Sequence, residues 1–213
     1  LERRSGQEEK RPRFPYRGLV AIVAAASLLT GAVGAVSLAG VSPAFRELFG
    51  ITSEEQAKNL GIVQMNQVFE DKNGSGATVT VKEAAADQEQ FYILVEFAAP
   101  EGTVLPEPDQ VEEGFNRAVL WGGPDGRGIG FGAYRDESCT SFIGSSEAGY
   151  AIDYVEDSDP TDNKMEFIIR GHIDPMPKDA AYCLFSGIQS LCMQYQGEWV
   201  TMLDGMDIDL IVP

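Results

Sequence analysis

The sequence predicts a mainly β protein: an immunoglobulin-like β-sandwich preceded by one transmembrane helix and a short helical stalk. Three observations carry that reading. Gly18 to Gly40 is an apolar run inside a stretch without charge between Arg17 and Arg46. Beyond it, hydrophobicity alternates with a period of two in a series of short segments, as in half-buried strands. Gly, Pro and Asp separate those segments, and the strand–helix alternation of a nucleotide-binding α/β fold is not found.

Charge orders the chain. Residues 1–17 hold six basic and three acidic side chains, leaving ten basic and thirty acidic ones for the remainder of a chain whose net charge is -17. A run of 23 residues, GLVAIVAAASLLTGAVGAVSLAG, is long enough to cross a ~30 Å hydrocarbon layer as a helix. Basic residues before it and acidic residues after it set the orientation by the positive-inside rule. The expectation is a single-pass protein of the cell membrane, with residues 1–17 as a basic cytoplasmic stub, 18–40 as the span in the lipid bilayer, and the rest extracellular. The rival is a cleaved secretory signal, for which Ser37-Leu38-Ala39 supplies a small-x-small site. Its apolar core would exceed the usual length, and either reading exports the same domain. Gly31, Ala35 and Ala39 form a small-residue stripe of a kind that lets two helices approach, though an Ala-rich span makes such stripes by chance. The chain opens on Leu1 and closes on Pro213, directly after an apolar run, so either end is expected to be cut.

Residues 41–60 read as the stalk. Ser42-Pro43 is an N-cap followed by a proline at the first helical position, and AFRELFG ends on Gly50. SEEQ from Ser53 is a capping box, with Gly61 placed to stop its helix.

Residues 61–213 read as one extracytoplasmic domain. ATVTVKE puts Ala77, Val79 and Val81 on one face, and FYILVEF puts Phe91, Ile93, Val95 and Phe97 on one face, with Asp87 and Gln88 at the turn of a hairpin. Further alternating runs start at Asn116, Gly128, Tyr150, Met165 and Asp207. The expected core includes Val79, Val81, Phe91, Ile93, Val95, Phe97, Phe167 and Ile169.

Motifs for chemistry are few. GGPDGRGIGFG, Gly122 to Gly132, has the glycines of a phosphate loop, but the alternation of Arg127, Ile129, Phe131 and Ala133 continues as strand where such a loop requires a helix. EDSDPTDN crowds Asp157, Asp159, Asp162 and the amide oxygen of Asn163, a candidate calcium site weighed against a solvated turn. His172 is the single histidine, and the nucleophile-elbow pattern is missing. Cys139, Cys183 and Cys192 allow a Cys183–Cys192 bridge or three reduced thiols. The inventory predicts no enzyme and no cofactor other than that calcium. The acidic domain repels nucleic acid, so none is expected as partner.

The order PRFPYR, Ala-rich span, SPAFRELFG, GATVTVKEAAADQEQFYILVEFAAPEGTVL and DSDPTDNKMEFIIRG resembles domain-of-unknown-function family four-one-seven-nine of Gram-positive bacteria. The resemblance covers most of the chain after Arg11. It implies a membrane-anchored, anti-sigma-factor-like protein, with an external domain that senses or binds an unknown extracellular ligand and a cytoplasmic N-terminal region that holds a sigma factor. The stub before the span is too short for a sigma-binding fold of its own. The competing reading is a surface-anchored structural or ligand-binding module without signalling, and the third is a cell-envelope hydrolase.

Overall fold

The computed structural model describes residues 38–86, 90–110, 117–122, 128–144, 149–156, 159–172 and 179–213. The expected span lies outside the described residues except for Leu38–Gly40, which form a 3-10 turn. No helix among the described residues is long and apolar enough to cross a membrane.

Two short helices follow, α1 (Pro43–Phe49) and α2 (Glu54–Asn59). Their ends form as the sequence predicts. Ser42 caps α1 by accepting from the Phe45 amide, and Gly50 leaves it at φ 63, in the left-handed region that glycine enters without a Cβ penalty. Ser53 and Gln56 close a reciprocal capping box on α2. The helices do not stand apart as a stalk. Phe45, Ile51, Ala57 and Ile62, with Val41 before them, pack on Ala85, Leu94 and Ile168 of the β domain.

Twelve strands are formed by the described residues. The five-stranded sheet has the order β1-β2-β3-β8-β7, from β1 (Val63–Glu70), β2 (Thr78–Ala86), β3 (Gln90–Ala98), β7 (Gly149–Val155) and β8 (Lys164–His172). A four-stranded sheet runs β12-β9-β5-β6, from β5 (Gly130–Tyr134), β6 (Phe142–Gly144), β9 (Tyr182–Ile188) and β12 (Ile208–Val212). A three-stranded sheet runs β11-β10-β4, from β4 (Ala118–Trp121), β10 (Ser190–Tyr195) and β11 (Glu198–Leu203). Every pairing is antiparallel. Only Gln189 separates β9 from β10, and its amide donates to Trp121 O, so one long run of chain links the two smaller sheets.

Between the large sheet and the smaller ones lies one core. Phe91, Ile93, Val95 and Phe97 of β3 and Met165, Phe167 and Ile169 of β8 meet Phe185, Ile188, Leu191, Met193, Ile208 and Leu210 from the other side. The eight core residues predicted from alternation are all buried, none more than 5 % exposed. β3 is buried on its second face too, since Leu94 lies beneath the helices at 0 % exposure. A strand covered on both faces reads as a continuous apolar run, which is why ILV interrupts strict alternation there.

Close packing makes a testable demand at Gly171. A Cβ there would sit 2.2 Å from Phe91 Cζ, and Phe91 in turn stacks on Phe131 at 5.8 Å and meets Phe185 edge-on. The ring cannot yield without disturbing both neighbours. Gly171→Ala is expected to cost about 1–3 kcal/mol by overpacking, read as a lowered thermal midpoint. A midpoint unchanged from wild type would show that the Phe91 cluster has room.

Candidate functional site

The feature with the most unusual chemistry is a buried carboxylate where the N-terminal segment meets the sheet. Pairing between β2 and β3 shifts from Val81↔Val95 to Glu83↔Leu94, so Lys82 is the extra residue of a bulge. The neighbouring strand is irregular at the same level, with Asn66 at φ 50. Ala84 then packs in the main core and Ala85 beneath the helices, while Glu83 is only 4 % exposed. Its Oε1 accepts from the Ser42 amide at 2.7 Å and its Oε2 from the Ser42 hydroxyl at 2.9 Å. Gln64 Nε2 donates to Gly40 O and adds a second tether. Removal from water pushes the Glu83 carboxyl above its ordinary pKa, with Glu166 acting the same way, and the Ser42 bonds and Lys82 only partly oppose this. Beside it, Lys82 Nζ bridges Glu166 at 2.5 Å and Glu96 at 3.4 Å, which lets two acids face each other across β3 and β8.

The candidate calcium loop is built differently. Asp157 lies outside the described residues. Asp159 Oδ1 accepts from the Thr161 hydroxyl at 2.6 Å and the Thr161 amide at 3.1 Å, bonds that hold its carboxyl below the usual range. Asp162 Oδ1 accepts from the Lys164 amide at 2.7 Å. Asn163 Nδ2 donates to Ala99 O at 2.5 Å, and Ala99 N donates back to Asn163 O. These groups close a turn that pins the segment after β3 to the start of β8. Among the described residues no cluster of three or more His, Cys, Asp or Glu converges on a common point.

Other acids missed in the sequence work in the same way. Asp109 accepts from the Gln196 and Gly197 amides in the β10–β11 turn, where both residues have positive φ. Asp136 accepts from the Ser138 hydroxyl and from the amides of Thr140 and Ser141. Asp71, 6 % exposed, accepts from three backbone amides, one of them on the far side of the chain at Asp207. For Asp71 and Asp136 the available signal was a small polar residue two positions later, because such side chains bond the backbone just ahead; Asp109, whose donors lie in a distant turn, carried none.

All three cysteines are free, and the proposed Cys183–Cys192 bridge is not made. β9 and β10 lie in different sheets and do not pair with each other, so no strand register brings Cys183 and Cys192 side by side. Cys183 packs against the core, and burial pushes its thiol up to about 11. Cys192 instead lies 3.6 Å from Thr201 Oγ1. His172 is exposed at the end of β8, opposite Gln90 and Gly149. The glycine-rich segment leads into β5, a strand, as its alternation predicts; residues 123–127 lie outside the described residues.

On the outer face of the three-stranded sheet, Trp121 is paired with Ser190 and Trp199 with Gln194, and both indoles are exposed. Compared with family models, with curated proteins and with solved structures, the chain matches none of them.

Proposed function

We propose that this chain is a membrane-anchored extracytoplasmic sensing or binding protein, part of an anti-sigma-factor-like regulator of the kind its resemblance to family four-one-seven-nine implies. On this reading residues 18–40 cross the bilayer, residues 1–17 lie in the cytoplasm, and the acidic β domain works outside by binding or transmitting a state rather than by chemistry. The observation that carries it is the clamped segment before the first strand. A sensor with one membrane helix must pass its state through the residues joining helix to domain, and a floppy linker would lose it. Here Val41, Phe45 and Ile51 are buried on the sheet and Ser42 is bonded to Glu83, so movement in β2 or β3 reaches residue 38 through packed contacts.

The finer fold reading belongs to the same proposal. In an immunoglobulin-type sandwich one sheet has the order A-B-E-D and the other C-F-G. The order β2-β3-β8-β7 fits the first, β5-β9-β12 fits the second, and β6 takes the place of an added strand beside C. β1 then extends the first sheet at its edge.

Deleting residues 61–213 while keeping the span and the natural N-terminus is expected to change transcription of the genes under the partner sigma factor. Unchanged transcription across envelope stresses would favour a surface-anchored binding module, a reading that the exposed Trp121 and Trp199 on one outer face support. Turnover of a cell-wall polymer by the purified protein, abolished by a single carboxylate or His172 substitution, would overturn the non-enzymatic reading.

A further inference from the structure

We propose that residues 41–50 form a proton-governed strap, docked on the sheet while Glu83 is protonated and loosened as that carboxyl ionises. The inference deepens the proposed function, and rests on it only for what a loosened strap would report to.

The argument begins with geometry. The bulge at Lys82 turns a carboxyl into a layer that is otherwise closed by apolar side chains, Phe45, Leu94 and Ala85 among them. Its partners are the amide and hydroxyl of a single residue, Ser42, at the start of the strap. Opening the strap would therefore return the carboxyl to water and remove both of its partners at once.

Charge acts on the group in both directions. Lys82 on its own strand favours ionisation and Glu166 on β8 opposes it. Across the pairing stand the uncharged Gln64 of β1 and Leu94 of β3. α1 carries Glu47, which is exposed, and Arg46, whose Nε is buried without a hydrogen-bond partner. α2 carries Glu54, Glu55 and Lys58, all exposed. Among the described residues no cation is bonded to the Glu83 carboxyl, and burial is the largest influence on it. The unpaired Arg46 Nε is a second cost of docking.

The sign follows from linkage. The carboxyl has a raised pKa when docked, and its return to water on release brings it back toward the ordinary one. Docking is therefore tightest below the released value and weakens as pH rises through the docked value. A neutral acid keeps both contacts, since it can accept from the Ser42 amide and donate to the hydroxyl. Acid tightens the strap, and a move toward neutral pH loosens it.

The test is amide hydrogen exchange on the full chain in detergent micelles, corrected for intrinsic rates, between pH 5 and pH 8. Protection of residues 41–50 is expected to fall severalfold relative to β3 and β8, about tenfold for each unit by which docking displaces the pKa. Glu83→Gln is expected to keep the strap protected and abolish that fall. Ser42→Ala, which removes one partner of the carboxylate and the α1 cap, is expected to lower protection throughout, most at the alkaline end. The proposal is overturned if wild type and Glu83→Gln share one pH dependence, if wild-type protection does not change with pH, or if Ser42→Ala leaves the strap as protected as before. None of these readouts involves transcription, so the strap and the regulatory reading fail separately.

Discussion

Ile93→Asp is expected to be the most damaging single substitution in the β domain, costing roughly 3–5 kcal/mol and leaving little folded protein at neutral pH. Ile93 is 3 % exposed, and it faces Ala84 on β2 and Ile169 on β8 at the centre of the five-stranded sheet. Both cross-strand neighbours are apolar, so the introduced carboxylate would be buried against groups that cannot pair with it. Its pKa would rise, and the loss should ease as pH falls and the group is neutralised. Ile93→Ala removes packing alone, at about 2–5 kcal/mol, and carries no such pH dependence. Thermal unfolding of the two variants followed by circular dichroism at pH 5 and pH 8 separates the charge from the cavity. A domain that tolerates Ile93→Asp at pH 8 would mean that the core does not lie where the alternation of β3 puts it.

That prediction uses residues that sequence alone had chosen, and the success has a simple cause. FYILVEF and MEFIIR carry a period of two with large apolar side chains, so burial on one face follows directly from strand geometry. The helix ends were equally legible, because Ser42, Ser53 and Gly50 act through bonds to backbone only a few residues away. β1 was harder to see. Its inner positions are only partly covered and Gln64, Asn66 and Gln67 interrupt the pattern at the bulge, as befits an edge strand. β9 and β10 were missed for another reason. YCLFSGI and SLCMQY run nearly end to end with one residue between them, so the turn signal that separates strands is missing where the chain crosses from one sheet to the other. The helices' place on the sheet was also invisible. A short amphipathic helix shows that it has an apolar side, but not that Leu94 and Ile168 are what that side covers. Glu83 could not be read at all, since VTVKEAA gives the acid no distinguishing neighbour and its burial depends on a register shift in the sheet.

Part of the surplus of acids holds the fold together, and among those acids Asp71 is where the largest effect is expected. Its Oδ1 accepts from the Asp207 amide at 2.7 Å and the Asn73 amide at 3.1 Å, and its Oδ2 from the Ser75 amide at 3.0 Å. One carboxylate thus shapes the β1–β2 loop and ties it to the lead-in of β12, near the other end of the chain. Around it, Lys72 N donates to Asp207 O, and Lys72 Nζ reaches Asp209 at 2.6 Å. That ion pair is largely exposed and adds little by comparison. Asp71→Ala leaves three amide donors without the acceptor they share and is expected to cost about 2–4 kcal/mol. Asp71→Asn retains one acceptor oxygen but turns an amide nitrogen toward N–H donors, so about half of that cost should remain. Burial alone would raise the Asp71 carboxyl, but the bonds from Ser75, Asp207 and Asn73 overcome it and hold the group far below the usual carboxylate range. A depressed folded pKa contributes stability that is complete above the unfolded value of about 3.9 and is lost as pH falls toward the folded one. The wild-type midpoint should therefore drop steeply below about pH 4, and the Asp71→Asn midpoint less so. Asp136 and Asp159 are displaced in the same direction and share in the wild-type acid limb. The difference between the two proteins isolates Asp71, and parallel curves from pH 2 to pH 7 would show that this carboxylate is not what fastens the first hairpin to the last strand.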